Sequence, residues 1–207
     1  MKKSLILKKN KERPFRQFHH WIFSGAVLSY PKFQAGELLS VHSFSGEKLG
    51  TAYFKGKENL VGRFIAFGDA DPLEEIERKI RLSINMRKSL FSSENHNAYR
   101  LIHGEADGIP GLIVDFYQNS LIIQVATIGI EKLKNHIVSI LQKFFPEIDM
   151  IYEKSLLPTR KLEGLEDKEE LLAGKMCEEV LIKEYGISFN VRFKNSQKTG
   201  FFLDQRE

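Results

Sequence analysis

Hydrophobic positions in the first third of the chain recur in short runs cut by glycine and polar turn residues. Leu5 to Leu7, Gly36 to His42, Leu49 to Phe54 and Leu60 to Phe67 are such runs, with Ser45-Gly46 and Lys55-Gly56-Lys57 between the later ones. This punctuation predicts strands of a small, strongly bent sheet or barrel. Phe18 to Leu28 is aromatic and apolar around Gly25 and reads as one or two helical turns. Within it, Trp21 and Phe23 are read as core rather than as platforms for bases. Gly68-Asp69-Ala70-Asp71-Pro72 ends the pattern and marks a domain boundary.

Beyond Pro72 the period changes to that of a helix. Leu73, Ile76, Ile80, Ile84 and Leu90/Phe91 share one face over 72–91. Pro72 suits the first helical position, where its missing N–H is not needed, and Glu74, Glu75 and Glu77 suit the positive end of the helix dipole. Strands are predicted at Asn97 to Ile102, Leu112 to Tyr117, Leu121 to Thr127 and Met150 to Glu153. A second helix is predicted from Glu131 to Phe145, ended by Pro146. Residues 158–176 hold Pro158, Gly164, Gly174 and the charge run Glu166 to Glu170, and read as a mobile surface loop. Glu178 to Lys183 and Ile187 to Phe193 alternate across Tyr185-Gly186 as a hairpin. The fold class is therefore α+β: a bent β-barrel over residues 1–70, then a small α+β domain over 72–194.

Charge is unevenly spread. Residues 1–68 carry 12 Lys and Arg against 4 Asp and Glu, a net +8, whereas 69–146 come to −1 and 147–207 to −3. A basic unit joined to a near-neutral remainder points to a polyanion met by one part of the chain. No apolar run approaches the ~18–20 residues of a membrane span, and the apolar stretch after Met1-Lys2-Lys3 is too short for a signal peptide. One cysteine, Cys177, excludes an internal disulfide framework or a Cys-rich zinc site. A soluble cytoplasmic protein is expected.

The usual phosphate cradles are missing from the sequence: there is neither G-x-G-x-x-G nor G-x-x-x-x-G-K-[ST]. No His-x-x-x-His or Cys-x-x-Cys spacing offers a metal site. Glu105 and Asp107 resemble an acid–base pair, but Asp107-Gly108 and Pro110-Gly111 are turn dipeptides, so Gly104 to Gly111 reads first as a structural turn, the alternative being a surface that helps bind nucleic acid or packs against another domain. Cys177 lies beside Glu178-Glu179, which oppose a thiolate, so it is not read as a nucleophile. Arg13, Arg16, His19 and His20 are the better candidates for contacting a nucleic acid, being polar and within the basic region. Thr199 or Asn195 can cap a helix starting near Phe201, whose free N–H groups would face a carboxylate or phosphate.

Three stretches are distinctive: His19-His20-Trp21-Ile22-Phe23-Ser24-Gly25-Ala26-Val27, Arg100 to Asp115 (RLIHGEADGIPGLIVD), and Gln197 to Glu207 (QKTGFFLDQRE). Taken in order they resemble the ribosomal RNA large-subunit methyltransferase family that modifies cytosine at carbon 5. The resemblance implies an N-terminal PUA domain, a central α+β domain, and a Rossmann-like domain that binds S-adenosylmethionine. It also implies that 195–207 begin this last domain, whose body and catalytic cysteine are expected to be absent from the chain. By the same resemblance Lys198, Thr199, Phe202, Leu203, Asp204, Gln205 and Arg206 lie along the S-adenosylmethionine site. No catalytic residue is expected among the 207. The implied partner is ribosomal RNA, with no membrane, and a homodimer is left open. The alternative reading is a non-catalytic RNA-binding or ribosome-assembly module.

Overall fold

The computed structural model describes residues 3–57, 59–91, 96–194 and 196–205. The first unit is a six-stranded sheet: β1 (Ser4–Leu7), β2 (Trp21–Phe23), β3 (Val27–Ser29), β4 (Glu37–His42), β5 (Lys48–Phe54) and β6 (Leu60–Phe67). Its order is β2-β6-β5-β4-β1-β3. Strands β2 and β3 occupy opposite edges, yet only Ser24 to Ala26, a 3-10 turn, separates them in sequence. So short a connection forces the sheet to curl until its edges meet, which makes it a barrel. Four of its pairings carry a register break, between Ile6/Leu7, Ile22/Phe23, Val41/His42 and Thr51/Ala52, and bulges of this kind bend strands. Leu5, Leu7, Phe15, Ile22, Leu39, Val41 and Phe64 fill the interior.

Of the helical turns expected over Phe18 to Leu28 only the 3-10 turn Ser24–Ala26 forms, and the residues on either side of it are strand. A helical turn, α1 (Arg13–Arg16), lies just before, and Ile22 pairs with Gly62 of β6 while Val27 pairs with Leu7 of β1. Open sheet edges on both sides outweigh the local preference of this segment.

The second unit is built on a five-stranded sheet, order β11-β10-β9-β8-β7: β7 (Ala98–His103), β8 (Leu112–Tyr117), β9 (Ser120–Val125), β10 (Met150–Ser155) and β11 (Lys168–Gly174). Helices α2 (Pro72–Leu90) and α3 (Ile128–Phe144) pack on one face, α2 nearest β7. The side chain of Asp71 caps α2 by accepting from the N–H groups of Leu73 and Glu74. Helix α3 carries the chain from β9 to a parallel β10, so the sheet is mixed rather than wholly antiparallel. The other face is covered by the hairpin β12 (Glu179–Glu184) and β13 (Ile187–Arg192), turned at Tyr185 (φ 49°) and Gly186 (φ 79°). Leu121, Ile123 and Val125 of β9 therefore face the helices and Ile122 faces the hairpin, which is why β9 is buried throughout.

Residues 158–176 are not the loop their composition suggests. Helix α4 (Pro158–Leu162) and edge strand β11 are built from them. The cause is a buried charge network. Arg160, 2% exposed, reaches Val125 O, Glu166 O and Glu131, while Lys134 holds Glu131, Glu153 and Glu170. Glu170 of the charge run is thus paired rather than solvated.

The two units share a core. Tyr53, Ile65 and Ala66 of the barrel pack with Ile76, Ile80, Ile109 and Ile130. Tyr53 donates its hydroxyl to Pro110 O at 2.9 Å, and its ring lies over Gly129, where a Cβ would stand 2.1 Å from it. Among the described residues no helix is long and apolar enough to cross a membrane.

Candidate nucleic-acid interface

Strand β2 alternates, and the alternation decides which ring points out. Ile22 is fully buried, whereas Trp21 and Phe23 are 41% and 49% exposed, so neither is core as the sequence suggested. Phe18 is 69% exposed and held at φ +61°, a conformation a bulky aromatic seldom adopts. Its ring meets Phe67 edge-on at 5.3 Å between centroids. Phe18, His19, His20, Trp21 and Glu105 line one groove of about 290 Å³.

The polar atoms along that groove have defined roles. The Trp21 indole N–H donates to Glu105 Oε1 at 2.8 Å, which ties the barrel to the second unit. His19 Nδ1 accepts the backbone N–H of Trp21 at 3.2 Å. His20 Nδ1–H donates to Phe64 O at 2.8 Å, leaving Nε2 as the ring's acceptor. Desolvation holds the His20 imidazole below its ordinary range, so it is neutral at pH 7. His20 is thus half-buried and structurally engaged, while His19 is exposed. Arg13 is exposed on α1, and Arg16 pairs with Glu47 at the surface. The predicted quartet therefore sits on one short segment, but its members differ in availability.

A second groove of about 560 Å³ runs between the units, lined by Lys55, Arg63, Glu105, Gln124, Leu157 and Leu162 among others. Glu105 belongs to both grooves. Arg63 donates to Glu163 at 2.9 Å and Lys55 Nζ lies 3.8 Å from the same carboxylate, so both cations are partly neutralised.

Glu105 and Asp107 do not form an acid–base pair. Asp107 receives two bonds from Arg87, at 2.6 and 2.7 Å, plus the His103 N–H. The 3-10 turn Gly104–Asp107 closes on Gly108 at φ +75°, and Lys79 donates to Gly108 O and Ile65 O. The stretch is a structural turn that also carries Glu105 to Trp21. Cys177 donates its thiol to Glu179 O.

The C-terminal segment divides in two. Thr199 is fully buried: it donates to Asp115 at 2.6 Å and bonds the Tyr117 hydroxyl. Lys154 fastens the preceding residues through Phe193 O, Ser196 O and Ser196 Oγ. Lys198, Phe202, Asp204 and Gln205 are exposed, with Leu203 half-buried. Lys198 pairs with Asp204 at 3.1 Å and lies 4.4 Å from the Phe202 ring centroid. No helix starts near Phe201: the described residues 196–205 form turns, and Gly200 at φ +137° breaks helical geometry there. Asn195 and Arg206 lie outside the described residues.

A basic, aromatic-faced barrel followed by a mixed α/β unit is the architecture these observations define. Residues 5–67 match the family model of the PUA-like domain. Two relatives are named ribosomal RNA large subunit methyltransferase I. That of Alteromonas mediterranea is 31% identical over 210 residues, covering 100% of this chain and 53% of the relative. That of Yersinia pseudotuberculosis is 35% identical over 207 residues, covering 98% and 52%. A putative SAM-dependent methyltransferase from Streptococcus mutans superposes with a TM-score of 0.79 at 24% identity, covering 98% of this chain and 52% of that one. A putative methyltransferase complexed with SAH superposes with a TM-score of 0.79 at 25% identity, covering 98% and 51%. The chain spans about half the length of the relatives it matches.

Proposed function

We propose that this chain is the RNA-recognising half of an S-adenosylmethionine-dependent methyltransferase acting on large-subunit ribosomal RNA, at carbon 5 of a cytosine. The observation that carries this is the PUA-like match over residues 5–67 on the part of the chain with net charge +8. The relatives' alignment through the second unit supports it. Carbon-5 transfer needs a thiolate to add to carbon 6, and the cofactor supplies the electrophilic methyl group. Cys177, bonded to Glu179 O beside two carboxylates, is assigned no such role.

The residues present fit one wall of a cofactor site rather than a whole one. Lys198, Phe202, Asp204 and Gln205 are exposed and would face the ligand, with Leu203 as apolar support. Thr199 would act behind them, because its hydroxyl already serves Asp115. This chain alone is therefore expected to bind S-adenosylmethionine weakly.

Salt titration of binding to a ribosomal RNA hairpin tests the recognition half. Affinity should fall steeply with salt, and reversing Arg13 and Arg16 should weaken it more than reversing the exposed Lys175 and Lys183. Salt-indifferent binding, or equal effects of the two pairs, rejects it. Mass spectrometry of ribosomal RNA from a deletion strain tests the reaction: methylcytosine unchanged at every position rejects the assignment.

A further inference from the structure

We propose that the groove lined by Phe18, His19, His20, Trp21 and Glu105 takes an unpaired base of an RNA strand, stacked on the Trp21 indole with its amino edge toward Glu105. The inference rests on the RNA-binding reading above and adds where, and in what form, the strand is held.

Exposure, rigidity and polarity lead to it together. Phe18, Trp21 and Phe23 stand exposed on one short segment of the most basic part of the chain, and Phe18 and Trp21 line the groove, a grouping that scattered exposed aromatics do not need. They are not loose. Trp21 is fixed at both ends, by its backbone N–H to His19 and its indole N–H to Glu105. Phe18 is held against Phe67 despite its positive φ. Rigid, accessible rings are what a base needs in order to stack without ordering its platform first.

The groove also selects by hydrogen bonding. Glu105 is a carboxylate with acceptor capacity left after the indole bond, and His20 offers Nε2 as an acceptor. Acceptors repel a phosphate and suit the N–H donors of an amino-bearing base. The strand's bases therefore turn inward and its phosphates outward, toward cations such as the exposed Arg13. A duplex hides its base faces in its own stack and would not fill this site.

Trp21 is the only tryptophan of the chain, so its emission reports on the site directly. The intact 207-residue chain is titrated with single-stranded oligoadenylate, oligocytidylate and oligouridylate, a hairpin RNA, and heparin, while fluorescein-labelled oligonucleotides report total binding by anisotropy. Single strands are expected to quench Trp21 saturably, at the concentrations where anisotropy rises. Oligoadenylate and oligocytidylate should bind more tightly than oligouridylate. Trp21→Ala should weaken single-strand binding on the order of tenfold, Phe18→Asn (which tolerates positive φ) several-fold, and Trp21→Phe least. Unchanged melting temperatures for these variants show that the fold is intact. Binding without quenching, or equal quenching by heparin, overturns the stacking site and leaves the RNA-binding reading standing. Equal affinity for the three homopolymers overturns the role given to Glu105. Failure of every RNA to bind overturns both the site and the function proposed above.

Discussion

Thr199 donates its hydroxyl proton to Asp115 at 2.6 Å, linking residues 84 apart in sequence where both are fully buried. Tyr117 can then donate to the Thr199 oxygen, and Arg100 gives Asp115 two further bonds at 2.8 and 3.1 Å. The carboxylate is fully served only when the C-terminal segment is docked. Thr199→Val keeps the shape and removes the donor. It should destabilise by about 1.5–3 kcal/mol, the usual range for a hydrogen bond to a charged group. Thr199→Ser should retain most of that. Urea unfolding measures both, and amide exchange over 196–205 should quicken in the valine variant alone.

Arg160 holds together a part of the fold that composition disguises. Its guanidinium lies within 3.5 Å of Glu153 and bonds Glu131, Val125 O and Glu166 O. Arg160→Met fills the space but leaves Glu153 and Glu131 short of a partner. Breaking a buried pair from one side costs about 3–5 kcal/mol. The expected result is a markedly lower melting temperature, with exchange protection lost first in α4 and β11. Protection lost evenly over the sheet would contradict this assignment.

The same region shows where sequence reading succeeds and where it stops. Helix α2 was legible because local signals agree: Asp71 and Pro72 at the start, the Ile76–Ile80–Ile84 stripe, Arg87 and Lys88 at the end. The turn at Tyr185-Gly186 was legible for the same reason. Strand β11 was not, because Glu169, Glu170 and Lys168 are held by partners on α3 and β10 that no window of sequence contains. At the candidate site, the composition of Phe18 to Phe23 marked the segment, but only pairing with β6 decided that Ile22 points in and Trp21 out. The burial of Thr199 likewise depends on β8, more than eighty residues earlier.

Gly129 and Tyr53 show that the boundary at 68–72 does not separate two independent bodies. A Cβ on Gly129 would stand 2.1 Å from Cγ of the Tyr53 ring, and that ring is anchored through its hydroxyl to Pro110 O and Thr127. Gly129→Ala must therefore push the ring out of the shared core. Overpacking of this kind costs about 1–3 kcal/mol or more. The wild-type chain should unfold in one transition. The variant should melt earlier and lose that single transition, as the barrel and the second unit come apart. Calorimetry would show it, and a variant that melts like the parent would show that the two units are coupled elsewhere.

Lys79 gives the fold an alkaline signature. Desolvation lowers its pKa from 10.5 to about 8, although Glu75 acts in the opposite direction. Its ammonium group donates to Ile65 O and Gly108 O, at the junction of barrel and second unit. Between about pH 8 and pH 10.5 the unfolded chain keeps a proton on this residue that the folded chain has released. The unfolded state then binds more protons, so stability rises with pH across that window, by up to about 1.4 kcal/mol per pH unit for one group. Lys154, also lowered by burial, adds with the same sign. From about pH 10, the ordinary tyrosine value, the direction reverses. Burial raises Tyr53 and Tyr117, and bonds to Glu131, Glu153 and Glu170 raise Lys134 against its own desolvation, so these groups stay protonated in the fold after the unfolded chain has lost them. The expected profile climbs from pH 8, peaks near pH 10 and falls beyond it. Lys79→Met removes one titrating group and should flatten the climb without moving the fall. Urea midpoints taken at half-unit steps from pH 7 to pH 11 measure both limbs, and a wild-type profile that declines steadily from pH 8 would mean that Lys79 stays charged in the fold.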